Sequence, residues 1–383
     1  MVVLIRYASL LFLLLFLISS SANAQMTVSP VGSDSVSTAL VPALGYSSNE
    51  GLLGGLIFSR YDYRGNQQPF NNLLETSAIA TTKGFVEVDL RYEQTRTFGR
   101  DIRSIADIYF YRYTQDQFFG VGNETTFTDD RWDDEYYFFR SIGFSLDYRI
   151  RKPIYEEGRK QLDLQLGAAT EYHIPYVSDE QSSFALQMPN GSEGGWVNNL
   201  NTGIIWENRD SEFDPHRGNR AELEVRGAPK WIGNYGLATV RFELRQYFYL
   251  FDWLTIANRL EARHATGDTP YWELSTLGDK NTLRGYPLNR FKGNTSLAYT
   301  LELRTWLLKF PKLYGLKFGG QLFTDAGRVF TETDDVNDLF EGYHQTVGFG
   351  GSMSILNPDF ILRGEIGFSE DVSRIYIGVG YMF

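Results

Sequence analysis

Hydrophobic and polar side chains alternate with a period of two through most of the chain, which is the pattern of β-strands with two chemically different faces. The stretch 237–250 is a clear case, because Val240 and Phe242 fall on one face and Arg241 and Glu243 on the other. A soluble sandwich would turn its polar face to solvent, whereas an outer-membrane barrel would turn its apolar face to lipid. The period alone therefore leaves two all-β folds open.

The length and spacing of the alternating segments favour the barrel. They run for about 10–14 residues, whereas strands of soluble proteins usually have about 5–6. Their connections are alternately short and long, as in outer-membrane barrels. We predict an all-β fold, a 16-stranded antiparallel transmembrane outer-membrane β-barrel, with 14 strands as the alternative count because two early connections fit the alternation poorly. The predicted strands cover residues 36–46, 51–63, 73–83, 84–97, 101–113, 134–150, 158–173, 195–207, 219–228, 235–250, 253–266, 295–309, 315–326, 342–355, 359–369 and 372–383.

The first residues are organised like a secretory signal peptide. Arg6 precedes an apolar run over 10–18, and the sequence Ala-Asn-Ala at 22–24 is a typical cleavage site. A transmembrane anchor is the alternative, although the run is shorter than a span of about 20 residues. With no later apolar segment of that length, a membrane-embedded chain must form a closed barrel. We therefore predict a signal peptide over 1–24, a short N-terminal segment over 25–35, and a barrel over 36–383 in the outer membrane of a Gram-negative bacterium.

The composition excludes several function classes. The chain has no cysteine, which excludes disulfides, thiolate metal sites and a cysteine nucleophile. Its formal net charge of -11 argues against nucleic acid as a partner. The histidines are not spaced as metal ligands, and no hydrolase elbow motif is present. We therefore expect no catalytic residues, no metal and no cofactor; the acidic run 129–135 is a solvated loop or, alternatively, a divalent-cation site.

The last predicted strand, 372–383, is the sharpest single feature of the pattern. Its apolar and aromatic side chains fall at alternate positions, share one face and end the chain in phenylalanine. These residues are Ile375, Ile377, Val379, Tyr381 and Phe383. Such a strand resembles the signal by which bacterial outer-membrane barrels are recognised for insertion. The alternative is an ordinary last strand of a soluble β domain.

Four further motifs lie in or near the connections. Residues 278–291 read GDKNTLRGYPLNRF in a long connection, and residues 320–327 read GQLFTDAG on a later strand. Residues 206–220 read WENRDSEFDPHRGNR at a short connection, and residues 117–125 read QFFGVGNET. Together these motifs resemble the barrel of the BamA/TamA superfamily, the bacterial surface antigen family of outer-membrane assembly and translocation proteins.

The resemblance implies that the long connection folds back into the lumen and is locked there. The loop residues of the motif are Arg284, Gly285 and Tyr286, and the matching acidic wall residues are Glu302 and Asp325. The alternation agrees, because both acids fall on the polar register of their strands. An arginine fork binds a carboxylate through two parallel hydrogen bonds, which lysine cannot do. The alternative for Arg284 is a solvated loop charge.

The resemblance also implies a function. Members of the family aid protein insertion or translocation, with client strands pairing at the seam between the first and last strands. The implied partners are outer-membrane lipid, client outer-membrane or exported proteins, and a periplasmic or lipoprotein partner. Well-known members carry periplasmic POTRA domains, for which the segment 25–35 is too short, so the chain resembles a POTRA-less member. A passive pore or structural barrel and a lipid-hydrolysing barrel stay open as alternatives.

Overall fold

The computed structural model describes residues 36–47, 51–65, 69–177, 179–313, 315–354 and 360–383. The predicted signal peptide and the segment 25–35 lie outside the described residues. Within them, sixteen long strands form one antiparallel sheet that follows the order of the chain. The strands are β1 (Val36–Ser47), β2 (Gly51–Asp62), β3 (Asn72–Thr81), β4 (Val86–Gln94), β5 (Arg103–Gln117), β6 (Phe138–Glu157), β7 (Lys160–Tyr176), β8 (Gly195–Glu207), β9 (Gly218–Ala228), β10 (Leu237–Phe251), β11 (Leu254–Gly267), β14 (Thr295–Phe310), β15 (Leu316–Phe330), β16 (His344–Ser354), β17 (Ile361–Phe368) and β18 (Ser373–Val379). The short strands β12 (Ser275–Leu277) and β13 (Phe291–Gly293) form a separate two-stranded sheet.

The fold is a 16-stranded antiparallel β-barrel, which confirms the predicted fold class. The alternative of 14 strands is wrong, because β3 pairs with both of its neighbours along its length. Ser77 lies opposite Ile57 of β2 and opposite Asp89 of β4. The early connections that fit the alternation poorly therefore still separate true strands.

The two faces of the sheet have the opposite polarity to those of a soluble protein. Large apolar side chains on the outer face are exposed, among them Leu200 of β8 at 63% and Leu322 of β15 at 59%. Charged side chains on the inner face are buried, among them Glu243 of β10 and Glu302 of β14. An exposed apolar band around a charged interior suits lipid outside and a polar lumen inside. This polarity excludes the soluble sandwich.

The connections lie at two ends of the barrel. β1 begins and β18 finishes at one end, here called the turn end, which also carries the connections 208–217 and 252–253. The opposite end, here called the loop end, carries the long connections 118–137 and 268–294. The short helix α1 (Asp129–Asp133) follows β5, and α2 (Ser183–Gln187) follows β7. Among the described residues, no helix is both long and apolar enough to cross a membrane.

The sheet has two edges, β1 and β18, at the seam of the barrel. β1 pairs with β2 over twelve positions and β18 pairs with β17 over seven, and no backbone ladder joins the described residues of β1 and β18. The predicted last strand, 372–383, is too long. The strand ends at Val379, because Gly380 has a φ of +77°, which lies outside the extended region.

Candidate functional site

The long connection between β11 and β14 folds back from the loop end into the lumen. Its stem is the small sheet β12–β13, and its tip, residues 278–290, lies against the inner faces of β14, β15 and β17. The tip turns sharply at Gly285, where φ is +110°. A Cβ atom at this position would lie 2.8 Å from the carbonyl carbon of Phe368. Both the backbone angle and the close approach therefore require glycine.

Arg284, at the tip, is bound to three buried carboxylates. Its Nε and Nη2 atoms donate to the two oxygens of Asp325 at 2.9 and 2.8 Å, a bidentate arrangement. Its Nη1 atom donates to Glu302 Oε1 at 2.5 Å and to Glu365 Oε1 at 2.7 Å. Burial lowers the pKa of Arg284, but the charges of Glu302 and Asp325 outweigh this effect and the net pKa is raised. We call these four residues the loop lock.

The structure thus brings together Arg284, Glu302 and Asp325, all of which are fully buried. Sequence reasoning missed Glu365 of β17, although Glu365 alternates with apolar residues on its strand and could have been found by the same rule. It also missed Phe323 of β15, whose ring centroid lies 3.4 Å from the guanidinium carbon of Arg284. An aromatic residue on a polar register carries no signal of this kind in one sequence.

The other two residues of the loop motif have different tasks. The backbone N–H of Gly285 donates to the hydroxyl of Tyr376 on β18 at 2.9 Å, so the loop is tied to the strand at the seam. Tyr286 turns away from the carboxylates and packs in a small core behind the loop lock. This core consists of Leu277, Leu283, Tyr286, Phe291, Ala298 and Val329. The motif therefore supplies one cation bound to three carboxylates, one tight turn and one apolar anchor.

The motif at 117–125 covers the same loop on the side of the loop end. The N–H of Gly122 donates to the backbone oxygen of Lys292 at 2.7 Å, and Asn123 Oδ1 accepts from the N–H of Val329 at 3.2 Å. Arg290 donates to Thr125 Oγ1 at 2.6 Å. Because this motif follows β5 but contacts β13 and β15, the connection crosses the loop end of the lumen. The lumen is thus obstructed on that side by the loop and its cover.

The predicted insertion signal divides into two parts. Ile375 and Ile377 of β18 face outward, with 55% and 67% exposure, and Val379 is the last residue of the strand. Phe383, in contrast, is only 6% exposed. The prediction that Phe383 shares a face with Ile375 and Ile377 is therefore wrong, because the turn at Gly380 directs the end of the chain into the lumen.

The last residues, 381–383, are held there by Arg304 of β14. Its Nη2 atom donates to the backbone oxygen of Phe383 at 3.0 Å, and its guanidinium carbon lies 4.2 Å from the ring centroid of Tyr381. Its Nε atom donates to Glu302 Oε2 at 2.7 Å. Arg304 therefore connects the inward tail to the loop lock.

The rest of the lumen is charged and partly open. Two cavities of about 340 and 360 Å³ lie between the inner faces of the strands and are lined mainly by arginine and glutamate side chains. Arg226 and Glu224 line both of them. Within the described ranges, no group of three or more His, Asp or Glu side chains is placed to hold a metal ion.

The comparison with protein families decides the identity of this barrel. The sequence model of the Omp85 superfamily domain matches residues 77–383, which contain the loop lock, the motif at 117–125 and the inward tail. The chain belongs to the Omp85 superfamily. No curated protein matches it.

Solved structures show the same Omp85 fold at low sequence identity. BamA from Haemophilus ducreyi lacking POTRA domains 1–3 matches with a TM-score of 0.53 and 13% identity, over 89% of this chain and 68% of that one. CdiB from Escherichia coli matches with a TM-score of 0.58 and 12% identity, over 90% and 62%. CdiB from Acinetobacter baumannii matches with a TM-score of 0.51 and 12% identity, over 91% and 66%. The chain thus spans about two thirds of the length of these proteins.

Proposed function

We propose that this Omp85 barrel aids the insertion or translocation of proteins at the outer membrane of a Gram-negative bacterium, with the seam as its working surface. In this proposal the turn end faces the periplasm and the loop end faces the cell exterior. The observation that carries the proposal is the pair of strand edges. β1 and β18 share no ladder among their described residues, and β18 ends after seven residues.

An edge strand presents a row of backbone N–H and C=O groups that another chain can pair with. In a membrane such groups are costly to leave unpaired, because lipid offers no hydrogen bonds. A client strand that adds to β1 would satisfy these groups. Strand pairing and burial of apolar side chains in lipid supply the driving force, so the process needs neither a nucleotide nor a catalytic residue.

The side chains next to the seam suit a strand entering from the membrane. Leu40 of β1 and Ile377 of β18 both face outward and are exposed. The partners in this proposal are outer-membrane lipid, unfolded outer-membrane or exported proteins, and a periplasmic or lipoprotein component that delivers them.

A passive pore is the second candidate, and the two charged cavities favour it. The loop lock and its cover oppose it, because they obstruct the lumen at the loop end. Steady ionic conductance of the purified barrel in a planar bilayer would favour the passive pore. The absence of such conductance would favour the proposed function at the seam.

The proposal is tested by closing the seam covalently. Leu40→Cys with Ile377→Cys places two outward thiols on either side of the seam, in a chain that has no other cysteine. The barrel is reconstituted in phospholipid vesicles and bridged with a bifunctional thiol reagent. A urea-denatured small β-barrel protein is then added, and its folding into the vesicles is followed on gels.

A second pair of cysteines, bridged by the same reagent between two paired strands, controls for effects of the crosslinking itself. Leu164→Cys and Ile204→Cys lie opposite each other on β7 and β8, both on the outer face, and the strands there are already paired. We expect the bridged seam to lose the acceleration of client folding and the bridged control to keep it. Equal acceleration by both bridged proteins, or none by the unbridged barrel, contradicts the proposal.

A further inference from the structure

The connection 208–217 lies at the turn end between β8 and β9, yet its side chains contact strands far from both. A simple turn between neighbouring strands would contact only the adjoining strands. Here Glu212 and Phe213 reach β5 and β2 on one side, and Asp214 reaches β14 and β15 on the other. Each of these strands is at least three positions away in the sheet, so the connection crosses the lumen.

On the first side, the contact is a partly buried ion pair. The Nη1 and Nη2 atoms of Arg103 on β5 donate to the two oxygens of Glu212 at 2.9 and 3.1 Å. The Nε atom of Arg103 donates to Glu93 Oε2 at 2.7 Å, which fixes the orientation of the guanidinium. Such a bidentate pair is specific in geometry as well as charge.

Next to this pair, Phe213 packs among aromatic side chains. Its ring centroid lies 5.6 Å from that of Tyr61 and 6.3 Å from that of Phe70. On the opposite side of the lumen, Asp214 Oδ2 accepts from Trp306 Nε1 at 2.9 Å and lies 3.5 Å from Lys317 Nζ. The connection is therefore anchored at both walls.

The shape of the connection does not depend on these wall contacts. Asp210 Oδ1 accepts from the backbone N–H groups of His216 and Arg217 at 2.9 and 3.0 Å, so a bond within the turn braces it. The braced turn also forms part of the wall of the larger cavity, through Glu212, Phe213 and Arg209. Moving the turn away would join this cavity of about 360 Å³ to the turn end.

We propose that the connection 208–217 is a gate that closes the lumen at the turn end, latched by Glu212 on Arg103 and by Phe213 on Tyr61. When the latch breaks, the braced turn moves as a unit about its remaining anchor at Asp214, and the charged cavity is then open to hydrated ions or to an extended polar chain. This gate does not depend on the proposed function of the seam, because a barrel with a closed seam would have it as well.

The test measures how often the cavity opens. Ile105→Cys places a single thiol on the cavity wall, at a position that is buried in the structure. A charged maleimide is added to the folded barrel from the turn end, and labelling is followed by mass spectrometry. The latch is loosened by Glu212→Gln with Phe213→Ala. The control is Asp163→Asn, which breaks the lumenal Arg151–Asp163 pair without touching the turn.

We expect the loosened barrel to label about tenfold faster than the parent, because the closed state loses both a charge-assisted hydrogen-bonded pair and an aromatic contact. The control is expected to label at the parent rate. Equal labelling of all three chains, or rapid labelling of the parent, overturns the gate. If the double variant does not give the compact gel band of a folded barrel, Glu212→Gln alone is compared with Asp163→Asn under the same criteria.

Discussion

At the scale of single residues, Arg284 holds the loop because its charge completes a neutral buried network. Three carboxylates, those of Glu302, Asp325 and Glu365, are balanced by Arg284, by Arg304 on Glu302 and by Arg363 on Glu365. Removing one cation leaves a carboxylate buried without its partner, which costs more than the pair contributes. The loop is therefore held mainly by the free-energy cost of leaving a buried carboxylate unpaired, and less by the net contribution of any one bond.

Arg284→Ala is expected to lower the free energy of unfolding by about 3–5 kcal/mol, because the acids of the loop lock lose their shared cation. Arg284→Lys should recover only part of this loss, since an ammonium group cannot bind Asp325 through two parallel bonds. The measurement is the urea dependence of unfolding in vesicles, read from the compact gel band. Lys280→Ala, an exposed charge on the same loop, is the control and should change nothing. An Arg284→Ala barrel as stable as the control would refute the lock.

Lys292 gives a prediction about pH. It lies on β13, buried, with Nζ 5.8 Å from the ring centroid of Tyr271. Burial lowers its pKa from 10.5 to about 8, although the charge of Asp116 opposes the shift. Below about pH 8 the folded protein carries a disfavoured buried charge. As the pH rises from about 8 to about 10.5, the folded state releases this proton before the unfolded state does, and this contribution raises stability.

Lys292→Met removes the buried charge and keeps the apolar stem. We expect the variant to be more stable than the parent by roughly 1–3 kcal/mol at pH 7, and the difference to shrink towards pH 10. Thermal unfolding of both chains between pH 7 and pH 10 measures this difference. A variant that is less stable at pH 7, or a difference independent of pH, would show that the ammonium is satisfied in the folded protein.

At the scale of elements, the alternation locates the strands, but it does not predict the paths of the connections and of the tail that follow them. β8 was predicted at 195–207 and lies there, because its central inward residues Asn199, Asn201 and Gly203 are polar or small and alternate with outward, exposed Leu200 and Ile204. The period also continues through Tyr381 and Phe383, but the strand does not, since the backbone at Gly380 turns. The sequence of the connection 208–217 does not predict that it crosses the lumen, because the residues that it contacts lie on strands far from it along the chain. The partners of Arg284 were accessible through the polar register of their strands, except for Phe323.

Because the backbone turns at Gly380, we expect alanine substitutions at Gly380 and at Gly378 to have different effects on the tail. Gly380→Ala is expected to cost about 1 kcal/mol for the left-handed backbone and to favour an extended tail. Gly378→Ala should neither lower stability in this way nor extend the tail. Gly378 lies in β18 with no positive φ, and an added Cβ would meet only the Arg363 side chain at 3.7 Å. Digestion of the folded barrel with a carboxypeptidase measures the release of the tail. Faster removal of Phe383 is expected only for Gly380→Ala; equal rates for both variants would contradict the turn.

At the scale of the whole molecule, the exposed apolar band requires lipid around the barrel. Leu200→Arg places a charge near the middle of β8 and is expected to cost about 2–4 kcal/mol in vesicles. Phe98→Arg makes a similar exchange at the turn end, where Phe98 is 89% exposed in the connection after β4, and should cost far less. Urea unfolding of both variants in vesicles gives the comparison. Equal costs would show that the outer face does not meet lipid.

The whole barrel is obstructed by its loops at the loop end, and the described residues of β1 and β18 leave two strand edges unpaired at the seam. The most direct measurement is photo-crosslinking in living cells from a probe at Leu40, with the same probe at Leu200 of the fully paired strand β8 as control. We expect crosslinks from Leu40, and not from Leu200, to unfolded outer-membrane or exported proteins. Crosslinks from Leu40 to residues 375–379 of the same chain alone would show a closed seam and contradict the proposed function.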